Sequence, residues 1–337
     1  MIREAIAKVV IGEDLSEQES EAVMSEIMQG EATPSQMGSF LTALRLKGET
    51  VKEITGCARA MRTHAIKVKA NRSPLVDTCG TGGDGIGTFN ISTITAFVVD
   101  GAGLPVAKHG NRAVSSKCGS ADLLEALSVK IDITPEQIGR CIDEVGIGFL
   151  FAPSLHPAMK HAAVPRKEMG IRTIFNILGP LSNPASAPIQ LLGVYDPKLT
   201  EVMCEVLNRL GTQRALVVHG ANGLDELSTT GVNKVTCLRN GEQRTFYFDP
   251  AQMGLVAPNM DQLRGGSIEE NVQIAKEVLQ GRPGPQRDIV LLNAAAALAI
   301  AGQASDIKEG FHAAARSIDS GQAIEKLESL VRLTHSF

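Results

Sequence analysis

Residues 77–122 read DTCGTGGDGIGTFNISTITAFVVDGAGLPVAKHGNRAVSSKCGSAD. A short apolar strand at Leu75 and Val76 runs straight into Gly80, Gly82, Gly83, Gly85 and Gly87. A glycine-rich turn directly after a strand lets the backbone approach a ligand closely and aims successive N–H groups at one point, which suits phosphate oxygens. Asn90, Ile91, Ser92 and Thr93 open an apolar run to Val99. This predicts a capped helix start whose positive dipole end also favours an anion. After a Gly-Leu-Pro turn, Val106 and Ala107 predict a second strand, which ends in Lys108, His109, Gly110, Asn111 and Arg112. Ser115, Ser116, Gly119 and Ser120 then lead into a periodic segment from Leu123 to Val129. Three polar or glycine-rich strand-to-helix turns in one stretch imply one large, multiply phosphorylated ligand.

A glycine cluster after a strand is, in isolation, only a turn. Here three such turns come together, Lys108 and Arg112 supply cations, and Asp84 can meet a metal or a hydroxyl. No Gly-Lys-Ser/Thr follows, so this is not a Walker loop, and the ordered GxGxxG of a dinucleotide site is missing.

The segments Gly80–Asp84 (GTGGD), Asn90–Thr93 (NIST), Lys108–Arg112 (KHGNR) and Ser115–Asp122 (SSKCGSAD) closely resemble the anthranilate phosphoribosyltransferase family of tryptophan biosynthesis. So do Arg166, residues 172–181 (RTIFNILGPL) and the pair Asp225-Glu226. The resemblance covers nearly the whole chain, with no departure at the positions carried over. It implies a Mg²⁺-dependent transfer of the 5-phosphoribosyl group from phosphoribosyl pyrophosphate to the amine of anthranilate. The donor-binding residues it implies are Gly80, Gly82, Gly83, Asp84, Thr88, Asn90, Ile91, Ser92, Thr93, Lys108, Gly110, Asn111, Arg112, Ala113, Ser115, Ser116 and Ser120. The anthranilate side falls on Gly80, His109, Asn111, Arg166 and Gly179. Two Mg²⁺ per subunit are implied, one on Asp225 and Glu226 and the other on the Ser92 hydroxyl. A homodimer through the helical domain is also implied. With no amidotransferase segment ahead of Met1, any association with anthranilate synthase is expected to be non-covalent.

The 337 residues suit one large or two modest domains. With 43% hydrophobic residues, no Trp, 4% aromatics and 33 Gly, the interior must be built from aliphatics and alanine. The net charge of −4, with acids and bases interspersed, argues against a nucleic-acid or membrane surface. The cysteines at 57, 79, 118, 141, 204 and 237 form no CxxC pair and follow no secretory signal, so reduced thiols in a cytoplasmic protein are expected. The longest apolar stretch, Ile289 to Ala301, is broken by Asn293 and is too short to span a bilayer.

Residues 1 to about 70 carry helical periodicity and almost no strand signal. Ile2, Ile6, Val9 and Val10 make one stripe, and Ser16 with Glu19 forms a capping box. Thr33-Pro34 and Thr50 start two further helices, the first with Met37, Phe40, Leu41 and Leu44 inward. From Ser73 the texture changes to alternating strand and helix, which predicts a doubly wound α/β sheet. Strands are expected at 149–152, 189–195 and 214–219, and a hairpin turning at Asn240-Gly241. Helices are expected from Pro135, over 198–210, over 267–279, in the alanine-rich run 288–301 and over the tail 306–331.

The fold class expected is therefore α/β, with a small all-helical domain and a large domain built on a mostly parallel central sheet flanked by helices. The helical domain takes residues 1–72. The resemblance implies that about 165–188 joins it in space, which leaves 73–164 and 189–337 for the α/β domain.

Breaking the anomeric bond of phosphoribosyl pyrophosphate leaves positive charge on the ribose and negative charge on the departing pyrophosphate. Catalysis is then mostly electrostatic, and a metal bridging pyrophosphate wants oxygen ligands rather than sulfur or imidazole. Adjacent acids are commonplace in loops, but Asp225 and Glu226 follow a strand end, where sites of open α/β sheets gather. The amine of anthranilate is neutral at pH 7 and needs no strong base. His109 is open to two readings, proton acceptor or orienter. Arg166 and Arg172 lie in a basic helical segment that reads equally as a solvated face; the resemblance turns Arg166 toward the aromatic acid, whose carboxylate suits Asn111 and the planar fork of Arg166. Two rival readings stand beside the transferase: a nucleoside phosphorylase of similar layout, and a non-enzymatic nucleic-acid-binding relative.

Overall fold

Each of three helices near the N-terminus opens on a reciprocal side-chain cap, which is why their boundaries are sharp. A computed structural model describes residues 1–113 and 117–337. Helix α1 (Ile2–Val10) is followed by α2 (Glu17–Gln29), α3 (Pro34–Lys47) and α4 (Val51–His64). Ser16, Thr33 and Thr50 accept the N–H of Glu19, Gln36 and Glu53, whose side chains reach back to the cap residues. Met37, Phe40, Leu41 and Leu44 are buried as the helical period predicts, whereas Val10 is exposed at the end of α1.

The α/β part follows in the order β1 (Val76–Gly80), α5 (Ile91–Gly101), β2 (Val106–Gly110), α6 (Ser120–Ala126), α7 (Pro135–Glu144) and β3 (Ile147–Phe151). A detour through α8 (Ala152–Leu155), α9 (Lys160–Met169) and α10 (Phe175–Leu178) leads to β4 (Ile189–Gly193), α11 (Leu199–Arg209) and β5 (Arg214–His219). Strands β6 (Asn233–Arg239) and β7 (Glu242–Phe248) precede α12 (Ile268–Leu279), α13 (Pro285–Ala301), α14 (Ile307–Asp319) and α15 (Gln322–His335).

Among the described residues the strands form one seven-stranded sheet in the order β3-β2-β1-β4-β5-β6-β7. The first five are parallel, and β6 and β7 are antiparallel to their neighbours. Asn240 and Gly241 both adopt positive φ, 55° and 79°, as the hairpin turn between β6 and β7 requires. One face of the sheet is covered by α5, α12, α13, α14 and α15, and α13 is buried on nearly all sides. The other face carries α11, whose core runs on without a break into α1–α4. On the detour, α9 packs against α2 and α3, and α10 against α4. Among the described residues no helix is long and apolar enough to cross a membrane.

Three local expectations are corrected. Asn90 stands at the N-cap of α5 but makes no side-chain cap; its amide donates instead to Cys118 O at 3.1 Å and Asn271 Oδ1 at 3.3 Å. The strand expected at 149–152 starts at Ile147 and gives way to α8, with Pro153 inside its first turn, where its missing N–H costs nothing. The tail is two helices, because Gly321 at φ 78° breaks the run between α14 and α15.

Candidate active site

Strands β1 and β4 are neighbours, while β2 and β3 lie to one side of them and β5 to the other. The chain therefore reverses direction across the sheet at β1/β4, and the carboxyl ends of these strands are where open α/β sheets bind their ligands. Gly80 and Gly193 face each other there in register. A Cβ on either would collide with Asp225, so the two glycines let the 225–226 backbone lie directly on the strand ends. Beyond Gly80, residues Gly82, Gly83, Gly85 and Gly87 all take positive φ, between 68° and 77°. The Gly82 N–H donates to Asp225 Oδ2 at 2.6 Å, which ties the loop to the carboxylate pair.

Acidic side chains are concentrated at this point. Burial, then the like charge of Asp84, pushes the Asp225 carboxyl up to about 8. Glu226 is pushed well above the usual carboxylate range by burial and then by Asp225. Asp84 Oδ1 accepts the Ile86 N–H at 3.0 Å, while its Oδ2 is buried without a partner. The buried Lys108 answers these charges; its Nζ donates to Thr78 O at 2.7 Å and Ser92 Oγ at 3.2 Å. Burial lowers its pKa against the pull of Asp77, Cys79 and Glu226. The backbone of Ser92 hydrogen-bonds the Glu226 carboxyl, so the first turn of α5 receives from a distant loop the acceptor that Asn90 does not provide. Among the described residues no three His, Cys, Asp or Glu side chains gather as a ready-made metal cluster. Two adjacent carboxylates, an orphaned Asp84 oxygen and a hydroxyl nonetheless fit a hard cation that completes its shell with phosphate oxygens and water.

The other wall is built around His109. Its backbone N–H donates to Asp77 Oδ1 at 3.2 Å. Asn183 Nδ2 donates to Asp77 Oδ2 at 2.8 Å and to Ala107 O at 2.9 Å. Burial raises the Asp77 carboxyl to about 6. The His109 imidazole hydrogen-bonds the Gly179 backbone and lies 5.1 Å from the His156 ring. Burial, and then His156, lowers His109 to about 3, and burial lowers His156 to about 4, so both rings are neutral at physiological pH. The Nε2 atoms of both are buried without a partner. Arg166 lies 4.9 Å over the Phe175 ring, its pKa lowered by burial alone. Arg172 donates to Gly83 O and lies 4.7 Å over the Tyr195 ring, bridging the detour to the glycine loop.

The remaining expected residues are distributed as follows. Thr88 pairs with Arg264, and Ile91 and Thr93 are buried in the first turn of α5. At Gly110 a Cβ would overlap Ser120 Oγ, whose hydroxyl receives the Asn111 N–H at 3.1 Å. The Arg112 guanidinium is paired with Asp122 at 3.1 Å and with Glu125, and lies 5.5 Å from the Phe151 ring. It is therefore held on α6 while remaining half-exposed. Ala113 N–H donates to Asp122 Oδ2 at 2.9 Å. Ser115 and Ser116 lie outside the described residues. Sequence reasoning missed Asp77, His156 and Asn183; a lone acid inside an apolar strand was the one available signal, at Asp77.

The chain matches the glycosyl transferase family a/b domain over residues 72–324 and the glycosyl transferase family helical bundle domain over residues 3–65. It is 57% identical over 337 residues to the anthranilate phosphoribosyltransferase of Moorella thermoacetica, covering 100% of this chain and 99% of that protein. The same enzyme of Acetivibrio thermocellus is 55% identical, with 100% and 98% covered. Among solved structures, anthranilate phosphoribosyltransferase from Thermus thermophilus superposes with a TM-score of 0.93 at 45% identity, covering 98% of this chain and 99% of that one. The enzyme from Saccharomyces cerevisiae in complex with PRPP and Mg gives 0.91 at 30% identity, covering 100% and 98%. These relatives favour the transferase over the phosphorylase and nucleic-acid readings.

Proposed function

The chain belongs to the anthranilate phosphoribosyltransferases, and from that premise we propose how its own residues carry the reaction. It is a pentosyltransferase of tryptophan biosynthesis, moving the 5-phosphoribosyl group from phosphoribosyl pyrophosphate to the amine of anthranilate with release of pyrophosphate. The observation that carries the proposal is the buried carboxylate pair Asp225-Glu226, set on the ends of β1 and β4 beside a glycine loop and a buried lysine.

On the donor side, the N–H groups of the positive-φ glycines and the Lys108 ammonium surround the position suited to phosphates. Asp225 and Glu226 would hold one Mg²⁺ and the Ser92 hydroxyl a second, making two per subunit. An ion held there would supply positive charge against that developing on pyrophosphate. On the acceptor side, Arg166 pairs with the carboxylate of anthranilate, with Asn111 and Gly179 alongside. With its pKa near 3, His109 is a weak base at neutral pH. Its free Nε2 lone pair orients the amine by accepting an N–H rather than storing the proton.

Residues 1–72 and about 165–188 form the helical domain, a reading supported by the packing of α9 and α10 on α2–α4. The exposed Val10 on α1, Ile11 just past it and Leu46 on α3 support a homodimer through that domain. A cytoplasmic location suits the scattered cysteines. Non-covalent association with anthranilate synthase belongs to the same reading and is checked by co-sedimentation of the two purified proteins.

Anthranilate fluorescence tests the function directly. Adding phosphoribosyl pyrophosphate and Mg²⁺ is expected to extinguish it in proportion to enzyme. A signal that is stable under these conditions, or lost equally without Mg²⁺, overturns the reading.

A further inference from the structure

Asn293 interrupts the most apolar helix of the chain. Residues 289–300 of α13 are all buried, and every one but Asn293 is aliphatic. A buried amide among alanines and leucines is costly unless each of its polar atoms is matched. Here all are. Its Oδ1 accepts the N–H of Leu227 at 3.0 Å, and its Nδ2 donates to Leu227 O and to Ile289 O, both at 2.9 Å. Leu227 directly follows Glu226, so a single amide holds both backbone groups of the residue next to the carboxylate pair.

A second asparagine extends the same clamp. Asn233, fully buried at the start of β6, accepts the Ser228 N–H at 2.7 Å and donates to Ser228 O at 3.0 Å. Ahead of the pair, Gly220 N–H donates to Leu224 O at 2.7 Å. A Cβ at Gly193 or Gly220 would strike the backbone of Asp225 or Glu226, so the main chain of the pair is pressed against two strand ends as well. Helix α13 also packs along α5, whose first turn presents Ser92. One helix thus supports both the carboxylate loop and the hydroxyl.

We propose that Asn293 is a positioning residue for Asp225 and Glu226, fixing the direction of both carboxylates before metal or substrate arrives. This rests on the assignment of those two residues as metal ligands. Loss of a group that orients metal ligands typically costs about ten- to a hundredfold in metal affinity.

Mn²⁺ binding, followed by electron paramagnetic resonance in the presence of phosphoribosyl pyrophosphate, is the measurement that decides. In Asn293→Ala the affinity for Mn²⁺ is expected to fall about ten- to a hundredfold, the range for lost supporting partners of a metal site. Anthranilate KM is expected to stay within about twofold, since the acceptor wall shares none of these contacts. Asn293→Asp keeps the acceptor for the Leu227 N–H but not the donor to its carbonyl, and is expected to fall between. Unchanged Mn²⁺ affinity in Asn293→Ala, or equal loss of Mn²⁺ and anthranilate affinity, overturns the proposal. The Asp225→Asn, Glu226→Gln double variant separates the two readings: if it binds Mn²⁺ normally, the ligand assignment has failed rather than the role of Asn293. Should the Asn293 variants not fold, amide exchange in the unaltered, ligand-free protein decides instead. A Leu227 amide as slow as the core strands supports the clamp; one as fast as a surface loop overturns it.

Discussion

Arg166 holds a guanidinium half out of water with an aromatic ring beneath it and no pKa-raising partner. Such a cation is suited to an incoming carboxylate. Arg166→Ala is expected to raise KM for anthranilate about ten- to a hundredfold, the range for a charge-assisted hydrogen bond in a partly wet cleft. KM for phosphoribosyl pyrophosphate should move less than about threefold. Equal losses would make Arg166 a support of the packing between the detour and α2–α4. Gly83 has φ 77°, and a Cβ there would come within 2.8 Å of the Arg172 guanidinium. Gly83→Ala is therefore expected to weaken binding of phosphoribosyl pyrophosphate well before it lowers Tm. Normal affinity by calorimetry would reduce the glycine to a turn. The glycines, Lys108 and the acid pair are legible in the sequence because each is conspicuous by type and by its place after a strand. Asn183 is not, since it reaches Asp77 across 106 residues. Nor does sequence reveal that Arg112 already has Asp122 and Glu125 as partners.

Helix α5 shows how an element can be read correctly and its support misread. Its position and direction follow from the apolar run after Asn90, but the carboxylate at its first turn comes from Glu226, more than a hundred residues on. Asp225→Asn with Glu226→Gln removes the carboxyl groups facing that turn and the metal they would hold. Turnover is expected to fall about a hundredfold or more, on the scale of losing a major electrostatic stabiliser, while the circular dichroism of the helices stays unchanged. An unaltered dependence on Mg²⁺ in the double variant would remove both residues from the metal site. The capping box at Ser16 and the helix starts at Thr33 and Thr50 were legible because four consecutive residues contain the whole device. The break at Gly321 was not, because a glycine is tolerated inside many helices.

At the scale of the molecule, α5 is also tied to the C-terminal helix. Asp100, buried in the last turn of α5, lies 3.3 Å from Lys326 on α15. Burial raises its carboxyl from 3.8 to about 6. A folded-state pKa above the unfolded one stabilises the fold fully below the unfolded value, and that contribution is lost as pH rises through about 6. Above that pH the buried charge depends on its lysine. Lys326→Met is expected to lower Tm several degrees more at pH 8 than at pH 5, and Asp100→Asn to abolish that difference, both by calorimetry. Equal losses at the two pH values would mean that Lys326 acts through packing. His109 and His156 have the opposite sign: their depressed values make the fold lose stability as pH falls below about 6.5. The alternating α/β texture was legible at this scale, whereas the packing of the detour on α2–α4 joins stretches far apart and leaves no local trace. The detour itself bears on descent. The chain quits the sheet after β3 and rejoins it at β4, so Arg166 and Gly179, the part of the proposed acceptor wall on the detour, can drift in a segment that no strand register constrains, while the glycine loop and Lys108 remain bolted to strand ends. A lineage built this way can inherit its donor unchanged and explore new amines one substitution at a time.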